Sequence, residues 1–184
     1  GSETLGQTVG STFDNKNVGT GKTVTVNSIT LADGSNGGLA ANYSISAGQT
    51  TTANITAKSL TVSGITASNK TYDGGTNATL DASSVAYSGL ISGDTFNGTF
   101  AGAFSDKNVG TGKTVTVNSI TLADGSNGGL AANYSISPGQ TTTANVTTKA
   151  LTVSGITASN KTYDATTSAT LGTGNVSYGG LVSG

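Results

Sequence analysis

Lysine is the residue type through which this chain could do covalent chemistry. All eight of its positive charges are lysines, and Lys22 and Lys70 each stand beside a predicted strand. In a β-domain, a lysine amine can attack an asparagine amide with the help of a buried carboxylate, forming an isopeptide bond and releasing ammonia. The attack requires burial that lowers the pKa of the amine. Lys22 and Lys70 are therefore candidate cross-link residues, and the alternative is an exposed lysine whose stem covers apolar surface.

Two copies of one loop offer oxygen ligands for a cation. The loop that begins at Asp33 and its copy that begins at Asp124 each carry a carboxylate, a hydroxyl and an amide. Calcium usually binds more carboxylates than these loops hold, although backbone carbonyls can contribute. Asp33 and Asp124 are therefore candidate calcium ligands, with a solvated loop as the alternative. Thermal melts with a chelator and with excess calcium distinguish the two.

The segment Gly19–Thr23 ends in Gly-Lys-Thr, as phosphate-binding loops do. The full motif also needs a glycine where this chain has Lys16, and a following helix whose N-terminus receives the phosphate. Alternating threonine and valine follow instead, which predicts a strand, so a glycine-rich hairpin turn is the better interpretation. The chain has no histidine or cysteine, and its nine acidic residues are scattered. The sequence therefore predicts neither an enzyme nor a cofactor.

The composition favours a β-protein over a disordered or nucleic-acid-binding chain. The 184 residues carry a net charge of −1 and one proline, whereas disorder usually comes with high net charge or abundant proline. Regularly spaced Val, Ile, Leu and Tyr in a threonine-rich background suit strands. A near-neutral chain without arginine is not expected to bind nucleic acid. No apolar run is long enough to predict a membrane span.

An exact duplication organises the chain. Lys16–Ser46 (the first copy) recurs letter for letter as Lys107–Ser137 (the second copy), and the difference between 107 and 16 gives a period of 91 residues. A solenoid normally repeats at a much shorter period. The sequence therefore predicts an all-β protein of tandem immunoglobulin-like β-sandwich repeats. The alternatives are β-grasp-like sheets and a β-solenoid.

The apolar pattern also predicts where individual strands lie. Val24 and Val26 alternate with threonines, which indicates a half-buried strand. Beyond Asn27 the apolar residues move to odd positions, so one extra residue is expected there, in a β-bulge or a tight turn. Further strands are predicted at 43–45 and near 53–55. No helix longer than a turn or two is expected.

A second change of phase before Leu60 predicts a domain boundary. Residues 1–57 are then the C-terminal part of a repeat, 58–148 a complete repeat, and 149–184 the N-terminal part of the next. The alternative divides the chain into 1–92 and 93–184. Since the two flanking pieces would leave open strand edges, the predicted partners are neighbouring repeats of the same protein and, head to tail, half-domains of other molecules.

The segment Lys70–Thr76, KTYDGGT, resembles the YDG-type repeat of large bacterial surface adhesins and filamentous-haemagglutinin-like exoproteins. Gly93-Asp94, Phe104–Lys113 and Asn133–Ile136 extend the resemblance over essentially the whole chain. It implies a secreted or cell-surface, all-β module without catalytic residues, acting as a structural stalk in adhesion or biofilm formation. The alternative function is weak, multivalent binding of a glycan or host protein.

Tyr72-Asp73 and Tyr163-Asp164 are the structural motif within this resemblance. Each aspartate is expected to form an Asx-turn that accepts a backbone N–H two residues on. Each tyrosine ring is expected to pack on the core, with its hydroxyl bonded to a backbone group. Ala165 replaces Gly74 in the later motif. Because alanine with positive φ costs free energy, we predict that Gly74 is not left-handed.

Overall fold

The computed structural model describes residues 1–126 and 129–183, and every regular element in them is a strand or a single 3₁₀ turn. The strands of the first 90 residues are β1 (Leu5–Phe13), β2 (Gly19–Asp33), β3 (Thr50–Ile55), β4 (Lys58–Ser63), β5 (Thr66–Ala67), β6 (Lys70–Thr71), β7 (Asn77–Ala78), β8 (Leu80–Asp81) and β9 (Ala86–Ser88). The later strands are β10 (Asn97–Phe104), β11 (Gly110–Ala123), β12 (Tyr134–Ile136), β13 (Thr141–Thr147), β14 (Thr152–Ser154), β15 (Thr157–Ala158), β16 (Leu171–Gly172) and β17 (Ser177–Gly179). The 3₁₀ turns are Ala40–Asn42 and Ala131–Asn133. The all-β prediction is confirmed.

The strands belong to two compact units. The first unit consists of Gly1–Leu60, Gly89–Asn97 and Ala123–Ile136. The second consists of Thr61–Ser88, Gly98–Leu122 and the residues from Ser137 onward. No helix in the described residues is long and apolar enough to cross a membrane.

The first unit is built on an antiparallel three-stranded sheet in the order β1-β2-β3. Gly10 pairs with Ser28, but the next residue, Ser11, pairs with Val26, so Asn27 is the extra residue of a β-bulge. The bulge that the change of apolar phase predicts is therefore confirmed. It lets Val26 and Ile29 face the same partly buried side although they differ in parity.

A second irregularity of β2 corrects the hairpin interpretation of the Gly-Thr-Gly-Lys segment. Gly19 pairs with Ile55 and Lys22 with Ala53, so β2 bulges within a continuous strand. Gly21 has φ +61°, which glycine adopts at little cost, and its N–H donates to Asn54 Oδ1 at 2.8 Å. The preceding Asp14–Asn17 segment, not the glycines, makes the turn.

The same three residues, Tyr-Ser-Ile, have different structures in the two copies. In the second copy they form β12, which pairs in parallel with the start of β4, Tyr134 opposite Lys58 and Ile136 opposite Leu60. In the first copy, residues 43–45 form no strand, so the strand prediction there is wrong. A strand this short is held by its neighbour, and nothing in the described residues pairs with 43–45.

The second unit contains the main core. Its five-stranded sheet has the order β6-β13-β11-β10-β7, with β13 and β6 parallel. One face of the sheet buries a cluster of four residues: Phe104, Val115, Ala144 and Val146. Four partly buried apolar side chains pack against this cluster: Ala67, Tyr72, Ala78 and Leu80. Two-stranded pairs complete the unit, β5 with β8, β14 with β17 and β15 with β16, and the last residues of β4 pair with β9.

Candidate functional site

The first cross-link candidate, Lys22, is a nearly buried lysine held by two side chains of the preceding turn. Its Nζ lies 2.9 Å from Asp14 Oδ1 and donates to Asn15 Oδ1 at 2.6 Å. The hydrogen bond from Lys22 holds the pKa of Asp14 below its usual range. The amine, amide and carboxylate that the predicted isopeptide bond requires are thus together, but the Asp14 side chain is 45% exposed, whereas the prediction calls for a buried carboxylate.

The counterpart of this cluster has a different charge arrangement. Asp106 occupies the position of Asn15, and its carboxylate forms an ion pair with Lys113. Here the lysine faces a carboxylate in place of a carboxamide, so ammonia has no source. The cross-link at Lys22 stays a prediction, and an intact mass that lacks one ammonia tests it. Lys22 therefore ties the turn before it to β2, and Lys113 ties the corresponding turn to β11.

The second cross-link candidate, Lys70, closes the Tyr-Asp-Gly turn. Its Nζ lies 2.7 Å from Asp73 Oδ1 and donates to the carbonyl oxygens of Gly75 at 2.9 Å and Asn77 at 3.2 Å. The Gly75 N–H donates to Asp73 Oδ1 at 2.9 Å, which confirms the predicted Asx-turn. Lys70 first, then this N–H, hold the pKa of Asp73 below its usual range. Among the described residues Lys70 has no asparagine side-chain amide as a partner, so it closes this turn, and its cross-link stays a prediction.

The later Tyr-Asp motif repeats this turn with alanine in place of glycine. Lys161 Nζ lies 2.8 Å from Asp164 Oδ1, and the Thr166 N–H donates to the same carboxylate at 3.0 Å. Gly74 has φ +83° and Ala165 has φ +56°. The prediction that this position avoids the left-handed region is therefore wrong. The carboxylate bonds hold the turn in place, and alanine bears a strain of about 1–2 kcal/mol.

The two tyrosines of the motif differ in their surroundings. Tyr72 packs against the main core, and its N–H donates to the Thr147 carbonyl oxygen at 2.9 Å. Its hydroxyl makes no hydrogen bond to a described residue, so the expected backbone partner is wrong. Tyr163 is 91% exposed, which contradicts the expected packing for this copy. The two turns share their local hydrogen bonds. The different exposure of the two tyrosine rings therefore depends on the residues that cover each ring.

The candidate calcium ligands are engaged within their own loops. Asp33 Oδ1 accepts the Ala40 N–H at 2.7 Å, and Asp124 Oδ1 accepts the Ala131 N–H at 2.7 Å. No group of three or more acidic side chains lies together in residues 1–126 and 129–183. Part of the later loop, 127–128, lies outside the described residues. The carboxylates close the loops, and calcium binding stays a prediction.

Each loop is also locked to the segment before β1 or β10. The Ser35 N–H donates to Thr4 Oγ1 at 2.9 Å. One period later, the Ser126 N–H donates to Thr95 Oγ1 at 3.0 Å. A Cβ on Gly34 would lie 2.0 Å from the Thr4 carbonyl oxygen. Only glycine permits this approach of one backbone to another.

Sequence reasoning missed an asparagine clamp between the two copies in the first unit. Asn133 Oδ1 accepts the Val18 N–H at 2.8 Å, and Asn133 Nδ2 donates to Asn17 Oδ1 at 3.1 Å. These atoms are 115 or more positions apart in the chain. The carboxamide satisfies both its donor and its acceptor, which makes the contact specific in orientation. In a chain so rich in asparagine, no spacing marks this one.

The clamp borders a groove of about 280 Å³ between the copies. Two residues, Thr56 and Ala57, connect β3 to β4 along this groove. The groove is lined by both polar and apolar side chains: Lys16, Val18, Ile55, Lys58, Asp94 and Tyr134. We call it the junction groove.

Tyr134 anchors the second-copy side of the junction groove. Its hydroxyl donates to Asp94 Oδ2 at 2.6 Å and accepts the Ile91 N–H at 3.2 Å. The Phe96 ring meets it edge to face, with centroids 5.0 Å apart. The hydrogen bond to Asp94 raises the pKa of Tyr134. The polar contacts named here order side chains and backbone at this junction.

Comparison with known proteins places the chain in one family. No curated protein sequence and no solved structure shows significant similarity to it. The family profile described as the YDG domain matches residues 1–53 and 56–144, well over half of the chain. This chain belongs to the YDG domain family.

Proposed function

We propose that the chain is a structural spacer, a stalk of repeated domains in an extracellular bacterial adhesin that extends an adhesive region from the cell surface. Membership of the YDG domain family and exact duplication support this role, because repetition adds reach without adding a new site. The proposal includes a secreted or cell-surface location, a role in cell adhesion or biofilm formation, and no enzymatic activity.

The asparagine clamp is the observation that carries the proposal. A connection of two residues between β3 and β4 leaves little room for independent movement. The bonds from Asn133 to Val18 and Asn17 then fix a rotation about that connection. A spacer needs such a fixed joint, whereas a chain of freely jointed binding modules does not.

The domain arrangement is part of this proposal. We take residues 1–57, 58–148 and 149–184 as the end of one repeat, a complete repeat and the beginning of the next, each an immunoglobulin-like sandwich. The break between the two family matches at 54–55 supports the first boundary. A division into 1–92 and 93–184 is the alternative.

Inserting further copies of residues 58–148 after Thr148 tests the spacer. Small-angle scattering at low concentration should show a maximum dimension that grows by a constant increment with each inserted repeat. Asn133→Ala in the same chains should shorten and broaden the distance distribution, because the joint is freed. A dimension that grows as the square root of the repeat number would contradict a rigid spacer.

The alternative, a weak multivalent binding module, gives a different result. Glycan arrays and cell-binding assays with the same length series should show avidity that rises with repeat number if each repeat binds. A spacer shows no binding at any length.

A further inference from the structure

The lysines of this chain fall into two classes that follow the repeat. One class forms ion pairs with aspartates: Lys22, Lys70, Lys113 and Lys161. The other class has no hydrogen bond or ion pair to a described residue: Lys16, Lys58, Lys107 and Lys149. Each class contains two positions and their counterparts one period later, so the unpaired lysines are a feature of the repeat.

Two of the unpaired lysines line the junction groove. Lys16 precedes the two-residue connection between β3 and β4, and Lys58 follows it as the first residue of β4. Both lysines are exposed, so a dissolved ion can reach them. The groove also contains one carboxylate, Asp94, whose Oδ2 accepts the Tyr134 hydroxyl at 2.6 Å. Two ammonium groups and one carboxylate give the groove a net positive charge.

The remaining lining favours a small anion with several oxygen atoms. Val18, Ile55 and Ile91 place apolar surface beside the lysines, which strengthens the attraction between an ammonium group and an anion. The groove has a volume of about 280 Å³, whereas pockets for drug-sized ligands begin at about 300 Å³. An ammonium group donates hydrogen bonds and accepts none, so a pair of them suits an anion whose oxygens all accept, as those of phosphate do.

We propose that the junction groove binds a phosphate-type oxyanion, which Lys16 and Lys58 hold from the two sides of the connection. Two like charges in one groove repel each other, and a bound anion replaces this repulsion by attraction. Lys16 directly precedes Asn17, whose Oδ1 accepts a hydrogen bond from the Asn133 side chain. The anion therefore adds a second link beside the asparagine clamp and stiffens the joint. The stiffening rests on the proposed spacer function, whereas the binding of the anion does not.

The second copy supplies a matched control for the site. Lys107 is the counterpart of Lys16, and the residues that follow the two lysines are identical through Ser46 and Ser137. Lys107 lies outside the junction groove. Lys107→Gln therefore changes the net charge of the chain as much as Lys16→Gln does, but it leaves the groove intact. Comparing the two variants separates a specific site from general attraction of anions to the chain.

A nuclear magnetic resonance titration of the full chain with inorganic phosphate tests the site. Ionic strength is held constant with sodium chloride, so that screening does not change. The backbone amides of Val18 and Lys58 should shift and reach saturation. Lys16→Gln and Lys58→Gln should each weaken phosphate binding about fivefold, the loss expected for one exposed charge pair. The double variant should not bind.

The control variant determines how the titration is interpreted. Lys107→Gln should bind phosphate as the wild type does. Shifts that never saturate, or an equal loss of affinity in Lys107→Gln, would overturn the site, because the anion then responds only to the overall charge of the chain.

Vesicles of phosphatidylglycerol distinguish a free anion from a lipid headgroup as the source of the phosphate. The small, concave groove favours the free anion, so the chain should not sediment with these vesicles. Sedimentation that is lost in the double variant would assign the bound phosphate to a lipid headgroup instead.

Spin labels test whether the anion stiffens the joint, and the chain has no cysteine of its own to interfere. Thr8→Cys and Ser83→Cys place labels at exposed residues before and after the connection. The distribution of distances between the labels should become narrower when phosphate is added. It should stay unchanged when Lys16→Gln and Lys58→Gln are also present. A saturating titration without narrowing would overturn the stiffening. The length series that tests the spacer is measured without phosphate, so failure of the spacer and failure of the anion site are separate results.

Discussion

The two copies have identical sequences but lie in different surroundings. Lys16–Ser46 and Lys107–Ser137 share every residue, and both form the long bulged strand, the locked loop and the 3₁₀ turn. Yet Tyr134 is 8% exposed and Tyr43 is 49% exposed. These shared backbone elements are therefore specified locally by turns, bulges and glycines, whereas the burial of side chains and the short strand β12 depend on a segment that lies elsewhere in the chain.

Truncating the equivalent phenylalanines, Phe13 and Phe104, should show the largest difference in stability between a covered and an uncovered side chain. Phe104→Ala removes a ring from the centre of the core and should lower the free energy of unfolding of the second unit by about 3–5 kcal/mol. Phe13→Ala, at the equivalent place, should cost about 1–2 kcal/mol in dilute solution because much of its ring is already in water. Urea denaturation followed by circular dichroism measures both. Equal losses would show that the covering segment does not matter.

Alanine at the loop glycines should act equally in both copies, because the loop lock is local. A Cβ on Gly125 would lie 1.5 Å from the Thr95 carbonyl oxygen, even closer than in the Gly34 loop. Gly34→Ala and Gly125→Ala should each cost about 3 kcal/mol, measured by hydrogen exchange of the loop amides. Gly174→Ala, where a Cβ meets no atom within 4 Å, is the control. A large effect in only one copy would contradict local specification.

Exchange of glycine and alanine between the two Tyr-Asp turns should give opposite signs. Ala165→Gly relieves the strain of positive φ and should stabilise its turn by about 0.5 kcal/mol after the entropy of glycine is included. Gly74→Ala should destabilise by about 1–2 kcal/mol, and more if Val182 cannot move, since its Cγ1 would lie 2.7 Å from the new Cβ. Thermal melts and exchange protection of the turn amides measure both. Destabilisation by Ala165→Gly would show that the turn tolerates alanine without strain.

Acid should have the smallest effect, and the same one in both turns. Ion pairs with Lys70 and Lys161 lower the pKa values of Asp73 and Asp164 in the folded chain. Such a group adds stability above the pH at which an unfolded aspartate titrates, and that stability is lost as the pH falls through the folded pKa. Denaturation midpoints between pH 7 and pH 3 should therefore fall less in Asp73→Asn than in the wild type. An unchanged pH dependence would mean that the exposed pair is screened by solvent.

Features that depend on neighbouring residues could be predicted from the sequence. The change of apolar phase at Asn27 identified a bulge, and the residue types at Asp73 and Asp164 identified Asx-turns, because both are set within a few positions. The left-handed turn was missed at Ala165, since a bound carboxylate can offset a strain that residue type alone argues against. At Ala165 the local rule therefore failed because a second interaction competed with it.

Features that depend on distant residues could not be predicted. Residues 43–45 and β12 have the same letters, and only a partner strand distinguishes them. The clamp from Asn133 joins positions more than 100 apart, through a residue type that is common throughout the chain. Periodicity reports which side of a strand is apolar, but it does not report which segment covers that side.

The parallel pairing of early and late strands also determines how the repeat responds to force. If the chain is stretched, β4 is pulled toward its N-terminus and β12 toward its C-terminus, so the two neighbours slide along each other. Their hydrogen bonds then resist together in shear, whereas pulling at one end of an antiparallel hairpin opens its bonds one at a time. The β13–β6 pair is loaded in the same sense. Tension applied across residues 58–147 would therefore load both parallel pairs in shear.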